Sequence, residues 1–334
     1  MTITRPAPRQ KADFATTVER LSKVSVDRHF DAYVDVAWDD PDLAIDQDDP
    51  RFELWLDDPL RLTEWYAAQP PEVRSRVALH RVATAMRIGW EFENVLQRGL
   101  LEHVYWMDGR KPQVRYLMHE IAEECQHMLM FQEFANRTGM DIRGMPRHMK
   151  HASRMVVLLS QTFPAAFFMF VLAGEDPVDF IQRKQLKEGG SHPATERIMR
   201  IHVTEEARHI AFARHYLRRQ VPRLNWFRHQ QLAIMSPIIF GTMARLMAFP
   251  SPHTARTFGV PRKDLRRALR SEKGRRLLRD VAAGPRKFCI ELGLARFPYR
   301  LIWRLMGVWD GPAAGPSITE VDQDREHEAQ SVPA

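Results

Sequence analysis

Cysteine is almost missing from this chain. The two that occur, Cys125 and Cys289, lie far apart and form no C-x-x-C, which excludes a disulfide framework and a zinc ribbon and points to a reducing cytoplasm. No G-x-G-x-x-G follows a recognisable strand, which argues against a built-in flavin or nicotinamide domain, and no G-x-S-x-G or catalytic-cysteine pattern supports a hydrolase. Met1 to Asp13 lacks the apolar run of a secretory signal, so the expected location is cytoplasmic. Asp46, Asp48 and Asp49 lack the glycine and terminal glutamate of a calcium loop, and a solvated acidic loop is expected there.

What is present begins with enough apolar residues, 44% of 334, for a sizeable buried core. The net charge of +7 is unevenly spread, with an acidic stretch from Asp35 to Asp58 and a basic last third. The organising signal is a repeated pattern. His119-Glu120-Ile121-Ala122-Glu123-Glu124-Cys125-Gln126-His127 and Ile201-His202-Val203-Thr204-Glu205-Glu206-Ala207-Arg208-His209 both end in Glu-Glu-x-x-His. On a helix, residues three apart share a face, so Glu124 with His127, and Glu206 with His209, can each chelate a metal ion. A single Glu-x-x-His is common by chance. Two copies match the four-helix bundles that hold two metal ions, in which each of the other two helices adds one glutamate.

Those two glutamates are found on helices predicted from about Glu72 to Trp106 and across the apolar run of residues 155–174. In the first, Glu93 shares a face with Met86, Gly89, Leu96 and Leu100 and points to the core, whereas Glu91 shares a face with Arg87, Asn94 and Arg98 and points away. In the second, Glu175 is the only acid close enough to the apolar run to serve. That run is long enough to raise the question of a membrane span, but Ser160, Gln161, Thr162 and Pro164 favour a surrounded bundle helix. His202, at i to Glu206 and His209 at i+4 and i+7, adds a third ligand to one stripe. The metal ligands expected are therefore Glu93, Glu124, His127, Glu175, His202, Glu206 and His209. Glu120, Glu123 and Glu205 are candidates for supporting contacts, with surface acids as the plainer reading of the last two. Carboxylates and imidazoles without thiolates suit iron or manganese.

The predicted architecture is all-α: a ferritin-like di-iron four-helix bundle core with additional helices. Residues 1–70 form an irregular wrap with short helices, 71–250 the bundle, 251–310 basic C-terminal helices packed on it, and 311–334 a disordered tail. The cations between Arg262 and Lys287 read first as a solvated helical face and then as a docking surface for an acidic electron-transfer protein. No nucleic-acid recognition pattern accompanies them. The basic, aromatic segment from Phe288 to Trp309 suits either a cap on the bundle or a peripheral membrane contact.

Over roughly residues 75 to 250, Glu124-x-x-His127, the isolated Glu175 and His202-x-x-x-Glu206-x-x-His209 resemble the p-aminobenzoate N-oxygenase (AurF-like) family of non-haem di-iron oxygenases. The resemblance implies two Fe ions, with Mn as the alternative. Glu124 and Glu206 would bridge them, Glu93 and His127 would hold one, and Glu175, His202 and His209 the other. It implies a cluster that activates O2 to oxygenate a small organic substrate, an arylamine nitrogen in the best-known members. A ferritin-like ferroxidase and a di-iron hydroxylase acting at carbon are the alternatives. Implied partners are that substrate, O2 and an external ferredoxin-type electron donor; a homodimer is left open.

Overall fold

The computed structural model describes residues 13–309 and Gly311, so the tail expected to be disordered lies, Gly311 apart, outside the described residues. The helices are α1 (Phe14–Asp27), α2 (Glu64–Ala67), α3 (Pro71–Tyr105), α4 (Pro112–Arg137), α5 (Arg147–Thr162), α6 (Pro164–Glu188), α7 (Pro193–Gln220), α8 (Trp226–Ala248), α9 (Pro252–Thr257), α10 (Arg262–Arg270), α11 (Glu272–Val281), α12 (Ala283–Glu291) and α13 (Arg300–Leu305). Among the described residues there is no strand.

The bundle is built from α3, α4, α6 and α7. Each starts with proline in its first turn, where the missing N–H would have had no helical partner and the fixed φ suits the helix. Helix α3 packs on α4 and α6 on α7, and the square closes through α3 with α6 and α4 with α7. Around this core α1 lies across α4 and α7, α5 across α3 and α6, and α8 along α6. Between α3 and α6 one contact is tight. A Cβ at Gly174 would stand 1.7 Å from the Phe92 ring, so only glycine lets the residues just before Glu93 and Glu175 meet.

The apolar run of residues 155–174 is not one helix. Pro164 disfavours the helical conformation in the residue before it, so Phe163 leaves the helical region (φ −152°, ψ 69°) and divides α5 from α6. Helix α5 is left amphipathic and largely exposed, while the first half of α6 is buried on every side. Glu175 consequently sits in mid-helix instead of near an end, and α6 continues through Pro177 to a C-terminal Gly189 at φ 71°.

The N-terminal wrap packs Phe30, Trp38, Phe52, Leu60 and Tyr66 against Val77, Met130, Phe134 and Ile198 at one end of the bundle. Its acidic loop is paired rather than merely solvated: Asp48 meets Arg76 at 2.7 Å and Asp49 meets Arg51 at 2.7 Å. The basic C-terminal set is likewise mixed. Arg262, Lys263, Arg266 and Arg270 are exposed along α10, but Arg286 is buried and donates to the Val308 carbonyl at 2.7 Å. The stretch beginning with α8 is apolar and long enough to cross a membrane, but 56% of its apolar window is buried inside the protein.

Candidate metal centre

All seven expected ligands converge in the middle of the bundle. Ligand atoms of Glu93, His127, His202 and Glu206 lie within 4.8 Å of one another, as do those of Glu124, Glu206 and His209, and those of Glu93, Glu124 and Glu175. None of the seven is more than 2% exposed, a burial that uncompensated charges would not survive. The three groups overlap, sharing Glu93, Glu124 and Glu206, and so form one continuous cluster with room for more than one cation.

The two Glu-Glu-x-x-His copies interlock. His127 turns Nδ1 to Glu124 Oε2 (2.8 Å) and Glu206 Oε1 (3.4 Å), and from the other side of the ring Nε2 donates to Glu205 Oε2 (2.9 Å). His209 mirrors it: Nδ1 faces Glu124 Oε1 (3.0 Å) and Glu206 Oε1 (3.3 Å), and Nε2 donates to Glu123 Oε2 (2.7 Å). Each histidine of one helix is thus anchored at Nε2 by a carboxylate of the other, an arrangement in which Nδ1, turned to Glu124 and Glu206, would be the ligating atom once a metal replaced its proton. Buried Arg208 joins the anchors, its Nη2 lying 2.9 Å from Glu123 Oε1 and 3.3 Å from Glu205 Oε1. His202 is held differently. Its Nδ1 donates to Gln182 Oε1 (2.9 Å), while Nε2 faces Glu93 (3.8 Å) and Glu206 (3.7 Å).

The electrostatics call for cations. Burial, followed by the charges of Glu124 and Glu206, holds the Glu93 carboxyl well above its usual range, and burial with the charges of Glu206 and Glu93 does the same to Glu175. Glu93 Oε2, Glu175 Oε1 and Glu206 Oε2 are buried with no hydrogen-bond partner. Burial opposes protonation of His127 and His209, but the surrounding glutamates outweigh it and hold both rings well above normal. At His202 burial wins and pushes the ring down to about 4, leaving an uncharged nitrogen at neutral pH. Four carboxylates with unspent lone pairs and three oriented imidazoles fit a pair of iron or manganese ions.

Glu91, the other acid considered on α3, takes no part. It faces α5 and the loop before it, accepting from Met145 N at 2.6 Å and meeting Lys150 at 2.6 Å. Gly144 makes room for it, since a Cβ there would fall 2.5 Å from its carboxyl group. Glu91 is therefore turned from the metal centre but is not at the surface, because the loop covers its face.

A cavity of about 120 Å³ reaches the centre at Glu93, Glu175 and His202. It passes between α3, α6 and α7 and is capped by the Glu53 to Asp58 stretch. On the α4/α7 side, α1 packs against both helices.

A family model described as "P-aminobenzoate N-oxygenase AurF" matches residues 11–293. The chain belongs to the p-aminobenzoate N-oxygenase (AurF) family. The match runs well beyond the stretch that carries the motifs and takes in both the N-terminal wrap and the first basic helices. Three proteins are 38% identical to the chain over 325 residues, 97% of this chain and 94% of each relative: the uncharacterized proteins MT0908 and Rv0885 of two Mycobacterium tuberculosis strains, and Mb0909 of Mycobacterium bovis. No solved structure matches. Membership in the AurF family accords with an all-helical di-iron fold and with the buried clusters of this chain that can hold metal.

For this AurF-family chain, sequence reasoning missed Gln182, which lies five residues after Pro177, beyond the apolar run of residues 155–174 that marked the helix. Arg208 was visible only as part of the repeat. The paired Glu123-Glu124 and Glu205-Glu206 were the available signal for the anchors, because neighbouring residues on a helix point about 100° apart, and both members are buried only when another helix covers each side.

Proposed function

We propose that the protein is a di-iron oxygenase that uses O2 to oxygenate the nitrogen of a small amine-bearing, arylamine-type substrate. The observation that carries this reading is the position of His202. This third histidine lines the cavity together with Glu93 and Glu175, so the ligands beyond a simple ferroxidase set lie where an organic molecule can reach them. Glu93, Glu124, His127, Glu175, His202, Glu206 and His209 would together hold the ions.

When bound, the metal pair supplies reductive activation of O2. The chain's own residues do the rest. Glu205 and Glu123 hold the protons on His127 and His209 Nε2, so that Nδ1 would be the ligating atom. Gln182 does the same for His202 through Nδ1. Phe92, Phe131, Met86 and Val178 line the approach and keep bulk water from the reacting end.

Electrons come, in this reading, from a separate ferredoxin-type donor, which the exposed cations of α10 would suit by charge. Both cysteines are free, which accords with the cytoplasm. The test is to load the protein with iron, reduce it, and supply isotopically labelled O2 with a panel of arylamines. Expected is about two irons per chain and a labelled N-oxygenated product. Iron accumulating far beyond two per chain, with no labelled product, would replace this reading by ferroxidase storage, and label at carbon would replace it by hydroxylation.

A further inference from the structure

The cavity is long, and its two ends differ. Twelve residues separate Arg81 from Glu93 on α3, a rise of about 18 Å, and both line it. The other two walls keep the same register. On α6 the lining runs from Glu175 at the metals to Gln185, and on α7 from His202 at the metals back to Thr195. The middle is apolar, formed by Met86, Val178, Ile181 and Met199.

The far end is polar and built. Arg81 is 7% exposed and Asp58 1%; their charged groups approach to 3.3 Å, and Arg81 Nη2 donates to the Met247 carbonyl at 3.0 Å. Asp58 Oδ1 accepts from Leu60 N at 2.8 Å. Arg81 Nε and Asp58 Oδ2 are the two atoms of that ion pair, and beside them Thr195 Oγ1 is buried with no hydrogen-bond partner; all three residues line the cavity. A buried hydroxyl without a partner is costly, and a ligand group that both donates and accepts would satisfy it while joining the ion pair beside it. A free carboxylate would not suit this end, because the guanidinium of Arg81 is already engaged by Asp58.

We infer that this channel takes an elongated substrate with a neutral donor-and-acceptor head, a carboxamide or hydroxyl, seated at Arg81, Asp58 and Thr195. An apolar body passes Val178 and Ile181, and the amine lies at the metals. Arg81 and Asp58 are then specificity determinants that set which end of the substrate is presented. The assignment rests on reading the cavity as the substrate site, but its test is binding, which needs no turnover.

The probes are para-ethylaniline, para-hexylaniline, and the amide-ended and carboxylate-ended analogues of the latter, titrated calorimetrically into the iron-loaded protein without reductant. The amide-ended probe is expected to bind about tenfold tighter than the carboxylate-ended one. Asp58→Asn should reverse that order, and Arg81→Met should remove the advantage of the amide over para-hexylaniline. Val178→Phe should weaken every hexyl probe by about tenfold or more while sparing para-ethylaniline. If Arg81→Met does not fold, Thr195→Val reads the same loss in smaller measure. Equal binding of amide and carboxylate by the native protein, no binding of any hexyl probe, or a Val178→Phe protein blind to length would each overturn the assignment. The expected binding order without labelled product would instead overturn the oxygenation reading and leave the channel standing.

Discussion

The two walls of the metal centre are built on opposite plans. On the α4/α7 wall each of two histidines is pinned from behind by a carboxylate of the opposite helix, Arg208 ties the pins together, and α1 packs against both helices. On the α3/α6 wall the ligands are single glutamates with unspent oxygens, and a cavity touches both. His202 belongs to α7 by chain but to the open wall by contact, held by a neutral amide from α6. The closed wall supplies affinity and fixed geometry. The open wall supplies the coordination freedom that an incoming molecule needs, much as catalytic zinc sites keep a vacant position that structural sites lack.

Experiments can break this contrast in graded steps. The largest effect is expected from Glu206→Ala, which removes a ligand shared by two of the three overlapping groups. Metal content measured by elemental analysis should fall from about two ions per chain to near none. Retention of a full pair would show that Glu206 is not shared. Next, Glu205→Ala and Glu123→Ala should each weaken metal binding by about 10- to 100-fold in chelator competition, and by similar amounts, because they occupy mirrored positions. Unequal losses would break the symmetry of the closed wall. Gln182→Leu should cost less, about tenfold, because Gln182 supports a single ring through a neutral amide. The smallest effect on metal is expected from Glu91→Ala, which should leave the ion count unchanged while lowering stability by about 2 kcal/mol in denaturant unfolding, since Met145 N and Lys150 lose their buried acceptor.

Legibility in the sequence followed the same division. The closed wall could be read almost completely, because its residues sit at fixed spacings on two helices and repeat. The inward direction of Glu93 could also be read, since helical periodicity separates it from Glu91 by face. That Glu91 would be covered could not be read, because its cover comes from a loop more than fifty residues away. The break at Phe163 was signalled by Pro164 but outweighed by the apolar run on both sides. The far end of the cavity was invisible: Asp58, Arg81, Thr195 and Met247 belong to four separate stretches with no spacing rule connecting them.

Arg208 carries one consequence for how the centre is assembled. Because a single guanidinium touches both Glu123 and Glu205, neither histidine can swing without disturbing the support of the other. The first ion to arrive, by fixing either ring, therefore arranges the berth for the second. Titration with ferrous ion should accordingly be steep, with singly loaded chains scarce at half saturation, and replacing Arg208 with leucine should flatten that curve into two independent steps.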